Sequence, residues 1–343
     1  MTRKTRAGKP VRQAGVGASL TAPLRAALCA LCTIVAPSAA FAQAGDFPVK
    51  PIRILVPLAP GGGNDAIARM VGSRLQERLG QSVVVDNRPG AGGVVGTEIA
   101  ARAAPDGYTM IVVNNSHVAM SALYPKLSFD PLRDFAPVAL AASSPFIVVV
   151  HPSLPVNNIQ ELLAWTRANP GKMNYGTSGV GSPPHLAGEL MAQMGKVDMT
   201  AIVFKGIGPA LAAVLGNEIP MTFPNLLVGI PQMKAGRVRA LAITSLKRSD
   251  VLPDLPTVSE AGLPGFEATI WFGFLAPRGT PGPIVERLNR EINVILKQPE
   301  VRQQIVGIGA DPLGGTVAEF AAVMKSDADR LGRLIRERGI RPD

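Results

Sequence analysis

Strand-like and helix-spaced runs alternate along this 343-residue chain, and that alternation is what most restricts its fold. Residues 52–56 (IRILV) form a short β-rich run that stops at Pro57. The segment 66–80 then places Ile67, Met70, Val71 and Leu75 on one helical face and closes at Gly80. A strand at 82–87, a helix through about Ala103 and a strand at 109–114 complete a β-α-β-α-β unit. Helical crossovers join parallel strands, and a parallel sheet needs apolar cover on both faces, so the unit predicts an α/β layer architecture.

A second α/β stretch follows. One buried strand is expected over 137–152, with further strands at 173–178, 200–205, 220–225 and 239–245 and helices at 158–169, 185–195, 209–216 and 227–236. After it come a proline-rich loop with a short helix (248–266), an apolar strand at 270–277 and two terminal helices at 281–297 and 316–338. The length exceeds what one hydrophobic core usually serves. Two lobes are therefore expected: 45–140 with 240–343 as lobe 1, and 141–239 as lobe 2, the chain crossing near 137–150 and 239–245.

The first 45 residues hold six cations (Arg3, Lys4, Arg6, Lys9, Arg12, Arg25), no acid, an apolar run at 26–36 and then PSAAFAQA. A basic head, a short apolar centre and an A-x-A site make a secretory signal over residues 1–42. Cleavage is expected after Ala42, with Ala44 the near alternative. Of the chain's 35 Lys and Arg, 29 remain to face 25 acids, so the formal charge of +10 falls to +4 and most of the basic excess belongs to export. With aromatic residues at 5%, nucleic acid is not an expected partner. Cys29 and Cys32 leave with the signal, which excludes a disulfide, a thiolate metal site and a cysteine nucleophile. The expected product is an exported, monomeric, cysteine-free periplasmic protein.

Three glycine-rich turns fall between a strand and a helix: Pro60-Gly61-Gly62-Gly63-Asn64-Asp65, 88–93 (RPGAGG) and 176–182 (GTSGVGS). Glycine lets backbone N–H groups approach a ligand, and the following helix adds free donors and a positive dipole end, so such turns suit an anion. The competing role is plain tight connection. The first turn lacks the Lys-Ser/Thr of a P-loop and the second lacks G-x-G-x-x-G, which argues against nucleotides. Asp65 either caps the helix or orients a polar ligand group. Asn114, Asn115 and Ser116 form either a turn or a cleft floor. Ser182 reads as an N-cap with prolines in the first helical turn, placing His185 near a helix start. The three histidines (His117, His151, His185) lack metal-ligand spacing, so no metal and no cofactor are expected. Gly176-Thr177-Ser178-Gly179 departs from the G-x-S-x-G elbow of a serine hydrolase. The arginines of the last helix read as a solvated face.

The runs PIRILVPLAPGGGNDAIAR, VVVDNRPGAGGVVGTEIAARAAPDGYT, MNYGTSGVGSPPHLAGEL, RALAITSLKRSDVLPDLPTVSEAGLPGFEA and WFGFLAPRGTP resemble, in order and across about residues 47–340, the Bug-type family. These are periplasmic substrate-binding proteins of tripartite tricarboxylate transporters. The resemblance implies a type II two-lobe periplasmic-binding-protein fold, with mixed sheets flanked by helices and two crossover strands. It also implies a non-enzymatic receptor that passes a small organic anion, a carboxylate, to the transporter's membrane subunits. Carried over by position, the ligand loops are Pro60, Gly61, Gly62, Asn64 and Asp65 in one lobe and Thr177, Ser178, Gly179, Ser182 and His185 in the other. Asn115, Ser116 and Asn225 are added as cleft-edge candidates. The stretch 216–225 departs from the family pattern: Pro220 and Pro224 stand where polar residues are common and remove backbone donors from that edge. Two other functions stay open, an exported α/β hydrolase using Ser178 or Ser182, and a binding protein acting as a sensor or chaperone.

Overall fold

The computed structural model describes residues 47–342, and the signal expected over 1–42 lies outside the described residues. The chain runs through β1 (Ile52–Val56), α1 (Gly63–Leu79), β2 (Val83–Asn87), α2 (Val94–Ala101), β3 (Thr109–Asn114), α3 (Ser116–Leu123) and β4 (Phe135–Pro145). It continues as β5 (Ile147–Val150), α4 (Ile159–Ala168), β6 (Asn174–Thr177), α5 (Pro183–Gly195), β7 (Thr200–Val203), α6 (Ile207–Leu215), β8 (Met221–Thr222), α7 (Leu226–Lys234) and β9 (Arg239–Ile243). The return comprises β10 (Thr269–Pro277), α8 (Gly282–Leu296), α9 (Pro299–Gly307), β11 (Asp311–Pro312) and α10 (Val317–Arg338). Two mixed sheets result, ordered β11-β4-β10-β3-β1-β2 and β7-β6-β8-β5-β9.

The period-2 alternation of the strands divides each lobe's core into two layers. Ile52, Ile54, Val56, Met110 and Val112 pack with Ile67 and Leu75 of α1 and Leu288 and Ile292 of α8. Leu55, Ile111 and Val113 face the other way, onto α2, α3 and α10 through Ala100, Val118, Phe320 and Leu331. In the second sheet Val148, Val150 and Tyr175 meet α4 and α5, while Ile147 and Val149 meet α6 and α7. Full burial of each such aliphatic side chain contributes about 1.5–3 kcal/mol.

Several expected elements differ. The strand expected over 137–152 divides at Phe146, whose N–H and C=O are both held by the Thr244 hydroxyl, and its two halves belong to different sheets. The lobe boundaries move accordingly. Residues 141–145 stay with the first sheet through β4. Strand β9, expected at the start of the first lobe's second segment, pairs antiparallel with β5, so the chain returns between Ile243 and Thr269. No helix forms in 248–266, where Pro253, Pro256 and Pro264 interrupt the backbone ladder. Helices α3 and α9 were not expected. The first follows β3 without a punctuating Gly or Pro, and the second is a single short segment begun by Pro299.

Candidate functional site

Strand register decides which loops can share a site. Strands β1, β2 and β3 are parallel, and β10 runs antiparallel to β3 with Phe272 opposite Asn114. Thr269, the first residue of β10, lies opposite Pro145, the last of β4. The carboxyl ends of β1–β3 therefore lie at the edge where the chain crosses between sheets. In the second sheet β6, β7 and β8 are parallel, and β5 opposes β8 with Val149 against Thr222 and Ile147 N–H donating to Pro224 C=O. Their carboxyl ends lie at the crossing edge too. The loops after all six strands thus lie at the crossing edge, the side on which open α/β sheets usually hold a ligand.

Close packing accounts for some of the glycines in these loops and not for others. A Cβ on Gly96 would meet Arg88 C=O at 2.6 Å and Pro57 Cα at 2.7 Å, so the turn at 88–96 is a tight connection. Gly61 (φ +84°) and Gly179 (φ +144°) have open space where a Cβ would stand. Asn158, Asn225 and Thr316 cap α4, α7 and α10 with their side chains, whereas α1, α5 and α6 begin at Gly62, Ser182 and Gly206 without a side-chain cap. Five helix starts at the crossing edge, those of α1, α2, α3, α5 and α6, lack a side-chain cap from the N-cap residue. Those of α1 and α6 offer free N–H donors and positive dipole ends, whereas α5 opens with Pro183 and Pro184, which have no N–H to give.

In the first lobe Pro60, Gly61 and Gly62 are exposed at the loop tip. Asp65 is spent on holding the loop: its carboxylate accepts from Gly61 N–H at 3.0 Å and pairs with Arg69, whose hydrogen bond is the main cause of its lowered pKa. Asn64 is buried, donating to Val112 C=O and accepting from Asn114, so it ties α1 to β3. The Ser116 N–H donates to Asn114 Oδ1. Asn115 donates to Thr269 C=O across the crossing, and its Oδ1 is buried without a partner.

In the second lobe the Thr177 hydroxyl folds back on Gly179 at 3.4 Å, and Ser178 is half-buried. Ser182 occupies the N-cap position, but its Oγ is buried and partnerless. His185 Nδ1 accepts from Gly181 N–H at 2.9 Å, and burial holds its pKa below the ordinary imidazole value against the raising effect of Glu189. Neutral His185 is thus a staple for the loop, and Asn225 is the cap of α7. Neither Ser178 nor Ser182 hydrogen-bonds a histidine among the described residues.

Helix α3 brings the two loop sets together. Tyr124, at its end, donates to Ala91 C=O; Gly93 packs against Met120 and Pro57; and a Cβ on Gly181 would overlap Leu123. On the same side, Arg338 and Tyr175 both bond Glu189, joining α10 to α5, so at least one arginine of the expected solvated face is a cross-link between lobes. Nothing local in the sequence marked Glu189, Leu123 or Tyr124, whose roles depend on sheet order. Two cavities, an apolar groove of about 240 Å3 between α7 and α9 and a crevice of about 10 Å3 beside Asn115, are lined by neither 60–65 nor 176–182. Among the described residues no cluster of three His, Cys, Asp or Glu could hold a metal, and no helix is long and apolar enough to cross a membrane.

A family model described as the tripartite tricarboxylate transporter family receptor matches residues 67–340. The chain belongs to that family. This receptor is 36% identical to protein BugT of Bordetella pertussis over 304 residues, 88% of this chain and 93% of that protein, which supports the Bug-type resemblance. Two solved structures share its two-lobe fold. Rpa4515 of R. palustris, described with adipate, is 36% identical with a TM-score of 0.78, covering 87% of this chain and all of that one. MatC from Rhodopseudomonas palustris, described with bound malate, is 34% identical with a TM-score of 0.74, covering 84% of this chain and all of that one.

Proposed function

We propose that this receptor captures a small organic carboxylate between its lobes, against the free N–H groups of Gly62, Gly63 and Val180 and the Ser182 hydroxyl, and releases it unchanged to the membrane subunits of a tripartite transporter. The observation that carries this reading is the uncapped helix start at Gly62 together with a buried Ser182 hydroxyl that no protein group satisfies, both at the crossing edge. An ionised carboxylate accepts from several N–H and O–H donors at once and answers the helix dipoles. A few charge-assisted hydrogen bonds of about 1.5–3 kcal/mol each are enough for micromolar affinity. Pro60, Gly61, Gly62, Thr177, Ser178, Gly179 and Ser182 border the ligand in this reading. Asn64, Asp65, Asn115, Ser116, His185 and Asn225 hold the loops that do so.

The protein acts as a periplasmic monomer after loss of residues 1–42. Native mass spectrometry of protein purified from its own periplasm gives the processed mass, the oligomeric state and any retained ligand in one measurement. A calorimetric panel of mono-, di- and tricarboxylates, amino acids and neutral sugars tests the ligand class. Heat of binding from one or more carboxylates is expected; binding of a neutral sugar with none from any anion refutes the reading.

A further inference from the structure

Among the segments that follow the six parallel strands (57–62, 88–93, 115, 178–182, 204–206 and 223–225) there are two cations, Arg88 and Lys205. Arg88 is committed, pairing with Asp86 at 3.0 Å. Lys205 is exposed and forms no ion pair or hydrogen bond with any described residue. Its place is set by the register. Thr177 lies opposite Val203, and Phe204 N–H donates to Thr177 C=O, so Lys205 leaves the sheet one strand away from Ser178–Gly179. Gly206 follows it at φ +117° and starts α6 without a side-chain cap, and Gly208 has open space where a Cβ would stand.

We propose that Lys205 determines specificity: its ammonium pairs with a second anionic group of a dicarboxylate whose first carboxylate lies against the glycine-loop amides. This rests on the carboxylate reading above and extends it. The seat formed by the N–H groups of Gly62, Gly63 and Val180 and the Ser182 hydroxyl is built from neutral donors, which treat mono- and dianions alike apart from their reach. The one uncommitted cation on the cleft border supplies the difference. Lysine, a point charge on a flexible four-carbon stem, accepts diacids of several lengths where a rigid guanidinium fork would fix one geometry.

The test is isothermal titration of the intact processed protein with matched acids, succinate against butyrate and adipate against hexanoate, in wild type, Lys205→Gln and Lys205→Arg. Lys205 is exposed and unpaired, so both variants are expected to fold, and their circular dichroism and melting temperatures check this. Wild type is expected to prefer one or both diacids. Lys205→Gln should weaken diacid binding by about tenfold or more and leave any monoacid binding unchanged, while Lys205→Arg, which keeps the charge on a rigid fork, should retain the preference for one diacid length at most. The diacid preference of wild type should also shrink as salt is raised, and that salt dependence should disappear in Lys205→Gln. Equal affinities of wild type and Lys205→Gln for a bound diacid, or monoacid binding with no diacid binding, overturn the assignment while leaving the carboxylate receptor standing. Absence of binding by every acid overturns the receptor reading itself.

Discussion

His117 should make this receptor lose stability in mild acid. The ring lies on α3, fully enclosed, with Nε2 2.8 Å from Pro131 C=O and Nδ1 buried without a partner. A carbonyl only accepts, so Nε2 carries the proton of the neutral ring, and a second proton on Nδ1 would find no acceptor. Burial, partly opposed by the Pro131 hydrogen bond, lowers its pKa to about 4 from 6.5. The unfolded chain therefore binds the second proton first. The stability this provides is complete above the unfolded value of about 6.5, is lost as pH falls from there, and is exhausted once pH passes below about 4. At 1.36 kcal/mol per pKa unit the loss is about 3 kcal/mol. His185, also lowered by burial, titrates in the same direction, so the comparison must isolate His117. The Asp65 carboxylate does not interfere, because its stability is lost only below its ordinary value of 3.8. Urea unfolding of wild type and His117→Gln at several pH values from 7 to 4.5 separates the terms; glutamine can still donate to Pro131. Wild type should lose about 2–3 kcal/mol more than the variant across that range. Equal slopes, or a His117 ring resonance titrating near 6.5 by NMR, would refute the reasoning.

Three further outcomes follow from the cleft geometry. Gly96→Ala forces a methyl onto the Arg88 carbonyl and Pro57, costing roughly 2–4 kcal/mol, whereas Gly62→Ala, at φ −84° with only an ordinary contact to Ala59 C=O at 3.8 Å, should keep stability within about 1 kcal/mol yet reduce ligand affinity; unfolding and titration data on the pair test both halves. Ser182→Ala removes a buried hydroxyl that has no partner, so the melting temperature should hold or rise while carboxylate affinity drops about tenfold; unchanged affinity would mean that the ligand does not take that hydroxyl. Glu189→Gln weakens the contact to Arg338 at 2.7 Å and should cost roughly 1–3 kcal/mol in denaturant unfolding, with hydrogen exchange in α5 accelerating first.

The sequence shows the architecture wherever it depends on local pattern. The alternation of 52–114 marks parallel strands because each hydrophobic run must be covered on both faces, and Ile54 and Leu55 do face opposite layers. Sheet membership is another matter. RALAI over 239–243 has the same apolar signature in either lobe, and only its pairing with β5 assigns it to the second. Side-chain roles at the cleft follow the same rule. Asn225 and His185 are polar residues at helix starts, as the sequence indicates, but which acceptor or donor each meets depends on the turn around it. Here both are consumed within their own loops. No motif marks Lys205: its significance lies in being the one uncommitted cation in the loops after the six strands, a property of strand order and pairing.

The departure at 216–225 bears on the same point. Pro220 and Pro224 flank a strand of two residues, and both turn their carbonyls to β5, accepting from His151 and Ile147. Proline has no N–H to offer. The next side chain, Asn225, spends its oxygen on Val228 N–H and so closes the start of α7. The third loop of the second lobe therefore brings few free donors to the crossing edge, which in the proposed reading leaves recognition in that lobe to 178–182 and 204–206. The first of these loops supplies neutral amides and hydroxyls; the second supplies an uncapped helix start and an ammonium. With its prolines at the third loop and Lys205 at the second, this chain places its uncommitted cation beside the outer edge strand, β7, away from the strands that cross between the sheets.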